Sequence, residues 1–374
     1  MNRVDKIDVA SKTVILRCDL NVPVKDGVIT DNSKIKASLQ TINYLLDNNC
    51  KVVILSHFGR VKTEEDKKTN SLVVVAKELC NLLGRRVKFL DKCVGEEVKK
   101  IVDEADYTDV ILLENTRFTD VPEKKESAND EELAKFWASL GDIYVNDAFG
   151  SSHREHSSTA AICKYLPNAV GFLVATEIAG LNPLISETPH PFTVFMGGAK
   201  VDDKLPIIEE LIKSCDYLLL GGGIANSFLK ASGEKIKDSL ACDDKEILSR
   251  IKKMMKEYKD KIILPVDFVW DDKKIMDLGE KSIEKYKKYI NESKIIFVNG
   301  TCGKYEDEKF SQGTINLFNA LKESSADVYI GGGDTASAVN NLGFTGVFKY
   351  VSSGGGATLE YIAYKKLKAL EWMK

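Results

Sequence analysis

Arginine is scarce in this chain, and its placement suggests a phosphate site. The 374 residues include 53 basic ones, of which eight are Arg, so Lys fills nearly every other positive position. Arg differs from Lys in its planar fork, which binds a carboxylate or phosphate through two parallel hydrogen bonds. Seven of the eight lie in the first half of the chain: Arg3, Arg17, Arg60, Arg85, Arg86, Arg117 and Arg154, with Arg250 in the second half.

Several of these arginines follow short apolar runs that predict strands. The runs cover residues 13–16, 51–55, 110–113 and 142–145, with amphipathic helices between them. Parallel strands place their carboxyl ends at one edge of a sheet, where ligands bind. We therefore expect one cluster at that edge, containing Arg17, Asp19, Asn21, His57, Arg60, Arg117, His153, Arg154 and His156.

Forked cations with neutral donors suit a small dianion, such as a phosphomonoester that also bears a carboxylate. Any one of these residues alone could instead be a surface ion pair or a structural histidine. Their coincidence after four strands favours a shared anion site. Arg85 and Arg86 fall in a helix-to-strand loop and read as solvated surface, and His190 lies between prolines in a loop.

The second half carries glycines and lysines at the corresponding positions. Predicted strands at 192–196, 217–220, 261–264, 295–298, 328–330 and 348–351 mostly run into glycine-rich turns. Glycine lets backbone N–H groups approach a polyphosphate, and a following helix start adds partial positive charge. Lys200 and Lys204, four residues apart, would share one face of a helical turn. Asp334 and Thr335 supply the oxygens that Mg²⁺ shared with a nucleotide requires.

Other classes of protein fit poorly. There is no G-x-x-x-x-G-K-[ST] loop and no dinucleotide fingerprint, which argues against a dehydrogenase. A net charge of −3 gives no basic field for nucleic acid or membranes, and no apolar stretch is long enough to cross a bilayer. The eight dispersed cysteines argue against disulfides or a zinc site. We expect a cytoplasmic protein.

The alternation of strands and helices predicts an α/β fold with two Rossmann-like, doubly wound and mostly parallel sheets joined by a helical hinge. We place an anion-binding domain at 1–170, a hinge helix and linker at 171–191 and a nucleotide-binding domain at 192–358. The tail, about 359–374, is expected to pack back toward the first domain.

Nine stretches resemble phosphoglycerate kinases, in the family's order and at about its spacing. They are RCDLNVPV, SHFGR, LLENTRF, VNDAFGSSHREHSS, GGAKVDDK, LLLGGGIA, VNG, IGGGDTASAV and SSGGGAT. The resemblance implies a hinge-bending glycolytic kinase that moves a phosphoryl group between 1,3-bisphosphoglycerate and ADP, giving 3-phosphoglycerate and ATP. We expect it to be a monomer. The resemblance also implies Mg²⁺ as cofactor.

The resemblance assigns roles residue by residue. Phosphoglycerate would meet Asp19, Asn21, Lys34, His57, Arg60, Arg117, Arg154 and His156. Catalysis would involve Lys34, Lys200 and Arg17. The nucleotide would meet Gly197, Gly198, Lys200, Lys204, Gly221, Gly222, Asn299, Glu306, Gly331, Gly332, Gly333, Asp334, Thr335, Gly354 and Gly355, with Asp334 also on the metal.

The chain departs from the family pattern at three places. Lys34 stands where the family has an arginine that stabilises the transferring group, so the charge remains but the fork is lost. This is either drift in a Lys-rich chain or a one-residue shift in the alignment, or it indicates a slower enzyme, an enzyme with altered substrate geometry, or a regulatory relative that binds without catalysis. The family's WNGP appears as Val298-Asn299-Gly300-Thr301, and the closing LPG signature is missing.

Overall fold

The chain folds as two α/β units, each built on a six-stranded sheet. The computed structural model describes all residues from Met1 to Lys374. The first unit contains Met1–Ala179 and Lys366–Lys374, and the second contains Gly180–Lys365. Both six-stranded sheets are parallel throughout, which confirms the predicted fold class.

The first unit has the strand order β5-β6-β4-β1-β7-β8. Its strands are β1 Thr13–Cys18, β2 Val24–Lys25, β3 Val28–Ile29, β4 Lys51–Leu55, β5 Val87–Phe89, β6 Val110–Leu112, β7 Ile143–Asp147 and β8 Asn168–Val170. Its helices are α1 Ser33–Asp47, α2 Glu64–Thr69, α3 Val73–Leu83, α4 Glu96–Asp103, α5 Glu131–Ala138 and α6 Phe172–Leu181, which continues across the unit boundary.

The second unit has the order β11-β10-β9-β14-β15-β16 and a separate β12–β13 hairpin. Its strands are β9 Phe192–Met196, β10 Tyr217–Leu220, β11 Ile262–Ile263, β12 Phe268–Asp271, β13 Lys274–Leu278, β14 Ile295–Asn299, β15 Asp327–Gly331 and β16 Tyr350–Val351. Its helices are α7 Leu205–Ser214, α8 Gly222–Ser232, α9 Lys245–Glu257, α10 Glu280–Glu292, α11 Gln312–Glu323, α12 Gly333–Asn341 and α13 Gly356–Tyr364.

The central strands are continuous apolar runs because helices cover the sheet. All five residues of β4, β9 and β14 are buried. Such runs are typical of parallel sheets, whereas half-exposed sheets alternate apolar and polar residues. Burial on this scale fixes the positions of the strand ends, and therefore also the positions of the polar residues that directly follow them.

The last nine residues belong to the first unit. The Ala369 backbone N–H donates to the Ser152 carbonyl at 3.0 Å, and the Trp372 indole donates to Glu155 at 2.9 Å. The Lys374 N–H donates to Asn168 Oδ1 at 3.0 Å. The tail is therefore tied to the loop that follows β7 and to β8.

The eight cysteines are all free thiols, and none of the helices is long and apolar enough to cross a membrane.

One buried carboxylate in each unit holds the start of a helix. Asp147 Oδ1 accepts from the Leu173 and Val174 N–H groups at 2.9 and 3.3 Å, at the start of α6. Asp277 Oδ2 accepts from the Gly313 N–H at 2.6 Å, at the start of α11. Burial raises the pKa of each carboxyl to about 6, although these hydrogen bonds oppose the rise.

Asp147 should make the stability of the first unit depend on pH. The folded state keeps the proton up to a pKa of about 6, whereas the unfolded chain releases it near 3.8, so stability falls as pH rises between these values. The full cost, present above the folded pKa, is about 3 kcal/mol. Asp147→Asn cannot ionise, so its stability should rise relative to the wild type over this window.

Urea unfolding of both proteins at about pH 4.5 and about pH 7.5, followed through NMR signals of the first unit, measures this difference. Asp103→Asn, at the exposed end of α4, is the matched control. A difference between Asp147→Asn and wild type that does not change with pH would contradict the expectation.

Candidate functional site

The first candidate site lies where β1 and β4 end side by side. Arg17 of β1 pairs with Leu55 of β4, so the loops that follow them are neighbours. The Gly59 N–H donates to Asn21 Oδ1 at 2.9 Å, which joins the two loops directly. The sheet register thus brings together the Asp19–Asn21 and His57–Arg60 stretches, as the sequence predicted.

Lys34, at the start of α1, reaches the same place. Its ammonium lies 3.1 Å from Asp19 Oδ2, and the Lys34 side chain keeps 35% of its surface exposed. Burial alone would raise the pKa of Asp19, but the charge and hydrogen bond of Lys34, with the charge of Arg17, outweigh it and hold the pKa below its ordinary value. Lys34 is therefore fixed at one end by a buried carboxylate and remains accessible to a ligand.

Arg117 is placed by Asn115, a residue that the strand-end pattern alone did not single out. Asn115 Oδ1 accepts from the Phe58 and Arg117 N–H groups at 3.1 and 3.0 Å, and its Nδ2 donates to the Phe58 carbonyl at 2.7 Å. The Arg117 guanidinium donates to the Gly59 carbonyl. Burial lowers the pKa of Arg117, and the nearby Arg154 and Arg17 lower it further.

The arginines of this cluster have no carboxylate partner. Arg17, Arg60, Arg117 and Arg154 form no ion pair. Of the other four arginines, Arg3 and Arg250 each pair with a carboxylate, and Arg85 and Arg86, outside the cluster, form none. Arg60 and Arg154 are exposed, and Arg154 Nε donates to His153 Nε2 at 3.0 Å. Gathering like charges without a counterion is unfavourable, so this edge has the electrostatic character of an anion site.

Arg17 differs from the other three because it is completely buried. Its Nε donates to Ser158 Oγ at 2.8 Å, one terminal nitrogen donates to the Cys18 carbonyl, and the other lies 3.3 Å from His57 Nδ1. The guanidinium is thus bound within the protein on every side. This arrangement suits a residue that supports His57 more than one that grips a ligand itself.

The three histidines are neutral at pH 7. Burial lowers the pKa of His153 and of His156 to about 4, with nearby arginines contributing to both. Burial also lowers the pKa of His57 well below its ordinary value, against the opposing effect of Asp19. They can offer hydrogen-bond donors to an anion without adding to the positive charge of the cluster.

The second candidate site is a cavity of about 1000 Å³ in the second unit. Its walls come from the stretch after β9, the starts of α8, α12 and α13, and the stretch after β14. The sequence-predicted residues on its surface are Gly198, Lys200, Lys204, Gly222, Asn299, Glu306, Gly332, Gly333, Asp334, Thr335 and Gly355.

Four predicted glycines do not line the cavity, but each directly precedes a residue that does. They are Gly197, Gly221, Gly331 and Gly354. The close approach of backbone segments needs glycine here. A Cβ on Gly197 would lie 2.2 Å from the Thr301 carbonyl oxygen. Gly222 lines the cavity with a positive φ of 58°, a conformation that other residues adopt rarely.

Lys204 lies at the end of the loop between β9 and α7, where hydrogen bonds fix its side chain. Its ammonium donates to Asn299 Oδ1 at 2.7 Å and to the Gly197 carbonyl at 3.0 Å. Asn299 Nδ2 in turn donates to the Gly331 carbonyl at 2.7 Å. Burial lowers the pKa of Lys204, and the Asp334 carboxylate opposes that effect.

The expectation that Lys200 and Lys204 share a helical turn is wrong, because α7 begins only at Leu205. Pro206 in its first turn suits a helix start. Both lysines nevertheless line the cavity, Lys200 as an exposed side chain and Lys204 as a half-buried one. The loop, not a helical face, brings them together.

The start of α12 is tied to the end of β14. Thr335 Oγ1 accepts from the Gly300 N–H at 2.6 Å, so the hydroxyl has a structural hydrogen bond. Asp334 beside it is exposed at the cavity surface. The N-termini of α8, α12 and α13 all meet the cavity, which gives it backbone donors and partial positive charge for an anion.

One wall of the cavity is apolar, and the sequence motifs did not predict it. It is formed by Ile207, Leu240, Ile275, Met276 and Leu359. These residues come from helices, a loop and the β12–β13 hairpin, and no sequence motif marks them. An apolar wall opposite backbone donors and lysines suits a ligand with a flat base at one end and phosphates at the other.

Comparisons with known proteins agree with this geometry. The family model described as phosphoglycerate kinase matches residues 4–365. The chain is 41% identical to the phosphoglycerate kinase of Macrococcus caseolyticus over 98% of both chains, and 42% identical to that of Enterococcus faecalis over 97% of this chain and 96% of the relative.

Solved structures are similar over the whole length as well. The phosphoglycerate kinase from Coxiella burnetii has a TM-score of 0.84 at 33% identity, covering 99% of this chain and 98% of that one. The phosphoglycerate kinase from Pyrococcus horikoshii has a TM-score of 0.86 at 30% identity, covering 100% and 98%. On its sequence, its two sheets and the residues at their edges, this chain belongs to the phosphoglycerate kinase family.

Proposed function

We propose that the protein reversibly transfers a phosphoryl group between 1,3-bisphosphoglycerate and ADP, giving 3-phosphoglycerate and ATP in glycolysis. Phosphoglycerate binds at the β1–β4 edge of the first unit, and the nucleotide binds in the cavity of the second. The observation that carries the proposal is the group of arginines without carboxylate partners at that edge, because a small dianion supplies the missing counterions.

At the phosphoglycerate site, Arg60, Arg117 and Arg154 bind the anionic groups of the substrate. Asp19 and Asn21 accept hydrogen bonds from its hydroxyl or fix the groups that do so, and His57 donates one. Arg17 and His156 act as positioning residues for the groups that bind the substrate. For Arg17 this revises the expected catalytic role, since its guanidinium is buried and already hydrogen-bonded within the protein.

In the cavity, the apolar wall takes the base, and Glu306 takes the ribose. Lys200, Lys204 and the glycine-rich turns bind the phosphates. Support comes from the position of Lys204 beside the helix starts that line the cavity. Gly197, behind the surface, lets the turn after β9 approach the Thr301 backbone closely.

Asp334 would hold Mg²⁺ together with the nucleotide phosphates. The residues fit this ion, because Mg²⁺ is commonly held by one or two carboxylates plus substrate phosphates and water, and Asp334 is an exposed carboxylate on the cavity surface. When bound, the ion would neutralise charge on the phosphate oxygens.

The chemistry needs no strong general base, since the acceptor is already a carboxylate or a nucleotide phosphate. The protein instead aligns donor and acceptor and stabilises charge on the oxygens of the transferring group. Lys34 and Lys200 supply that stabilisation as point charges. Lys34 is suited to this because Asp19 fixes its ammonium while leaving it accessible.

The protein is proposed to act as a monomer in the cytoplasm. Each ligand finds its complete set of groups within this one chain. All eight cysteines are free thiols, which suits a reducing compartment.

Removing the charge at Lys34 should reduce turnover. Deleting one electrostatic donor to a transition state commonly costs about 100-fold or more in kcat, so we expect Lys34→Met to lose about that factor. Lys34→Arg should retain turnover or exceed the wild type, because a fork can bind two oxygens. A coupled assay with ATP, Mg²⁺ and 3-phosphoglycerate measures both variants.

Lys36→Met, two residues away on an exposed position of the same helix, is the matched control and should leave turnover unchanged. Full turnover in Lys34→Met would show that the transferring group needs no charge at this position. No turnover in the wild type would overturn the proposed function itself.

Removing the Lys204 ammonium should weaken nucleotide binding selectively. Hydrogen bonds to charged groups contribute about 1.5–3 kcal/mol, so Lys204→Met should raise the KM for ATP by about tenfold or more. The KM for 3-phosphoglycerate should stay near the wild-type value. Lys213→Met, on the exposed face of α7, serves as the control. Equal changes in both KM values would argue against a nucleotide-specific role.

A further inference from the structure

A carboxylate outside the proposed substrate site is completely buried next to it. Glu126 lies in the turn that precedes α5 and has no exposed surface. Its Oε1 accepts from Ser158 Oγ at 2.5 Å and its Oε2 accepts from the Ser158 N–H at 3.0 Å. Tyr144 donates its hydroxyl to the Ser158 carbonyl at 2.8 Å. Ser158 is thereby held through all of its polar groups.

The hydrogen bonds from this carboxylate have a defined direction. A carboxylate only accepts, so the single hydroxyl proton of Ser158 points to Glu126. The remaining lone pairs of Ser158 Oγ face Arg17, whose Nε donates to them at 2.8 Å. Arginine has no acceptor, so the direction of this second bond is also fixed.

The hydrogen bond between Arg17 and His57 has a fixed direction as well. A terminal nitrogen of Arg17 lies 3.3 Å from His57 Nδ1 and can only donate. His57 Nδ1 must therefore present its lone pair, and the proton of the neutral ring resides on Nε2. His57 Nε2 forms no hydrogen bond within the protein. It is also not one of the buried polar atoms that lack a partner, so it is open to solvent.

We infer that Glu126, acting through Ser158 and Arg17, fixes His57 as the neutral tautomer with its proton on Nε2. This makes Nε2–H a ready donor at the edge where phosphoglycerate is proposed to bind. The inference rests on the proposed function only for the identity of that ligand. Glu126 and Ser158 are then positioning residues for the phosphoglycerate site.

The surroundings of His57 favour the neutral ring. Arg17, Arg117, Lys34 and Asp19 are the charged groups that face it, and three of the four are cations. Burial is the largest factor that lowers its pKa. Glu126 and the buried Arg17 form no ion pair and are linked only through Ser158 Oγ, which donates to Glu126 and accepts from Arg17.

The tautomer can be read directly from nitrogen NMR on the ligand-free protein. In the wild type at pH 7, we expect a pyridine-like ¹⁵N shift for His57 Nδ1 and a pyrrole-like shift for Nε2. In Ser158→Ala, Arg17 Nε loses its acceptor and the guanidinium is no longer held against His57 Nδ1, so the His57 resonances should move toward a mixture of tautomers. Binding of 3-phosphoglycerate without nucleotide should weaken by about tenfold, the usual scale for one lost hydrogen bond in a charged site.

Glu126→Gln tests the far end of the chain of hydrogen bonds and should give the same two changes. Glu123→Gln, three residues earlier and exposed, is the matched control and should change neither. If Glu126→Gln does not fold, Ser158→Ala alone decides. An Nδ1–H tautomer or a charged imidazole in the wild type would overturn the inference, and so would His57 signals that are unchanged in Ser158→Ala. None of these readings depends on turnover, so failure here is distinct from failure of the proposed function.

Discussion

Both units depend on the geometry of a parallel sheet, in which every strand delivers its carboxyl end to the same edge. In the first unit this brings the loops after β1, β4, β6 and β7 together, and each of these loops carries charged or polar groups. The cost is electrostatic, because arginines that have no carboxylate partner come close to one another. Burial lowers the pKa of Arg117, and repulsion from Arg154 and Arg17 lowers it further. Asp19 and the buried Glu126 offset part of this cost, and a bound dianion would offset the rest.

In the second unit, the proposed phosphate site is formed mainly by the backbone. Glycine-rich turns expose N–H groups, and three helices begin at the cavity. No arginine lines this cavity, and Lys204 is anchored by Asn299 and a carbonyl rather than by a carboxylate. A site built from backbone dipoles tolerates a ligand with several phosphates in a row, whereas a site built from arginine forks suits a compact dianion.

The alternation of apolar runs with helical periods was enough to predict the fold class and the central strands, and the residue types at strand ends predicted which side chains lie at the two sheet edges. Strands β4, β9 and β10 have the predicted bounds, because long β-branched or aliphatic runs leave little choice. The three-residue strands β5 and β8 at the sheet edges were missed, since such short runs have no clear period. Glu126 and the apolar wall of the cavity were also missed. Their roles arise from tertiary contacts with Ser158 and with the base-sized space, and nothing local in the sequence marks them.

The central claim is that the two ligands bind to different units. It is tested most directly by backbone amide NMR, with 3-phosphoglycerate and Mg²⁺·ADP titrated separately into the ligand-free protein. The account predicts that 3-phosphoglycerate alone shifts signals around Asp19, His57, Arg117 and Arg154, while Mg²⁺·ADP alone shifts signals around Lys204, Asn299 and Asp334. Shifts from both ligands in the same unit would contradict it.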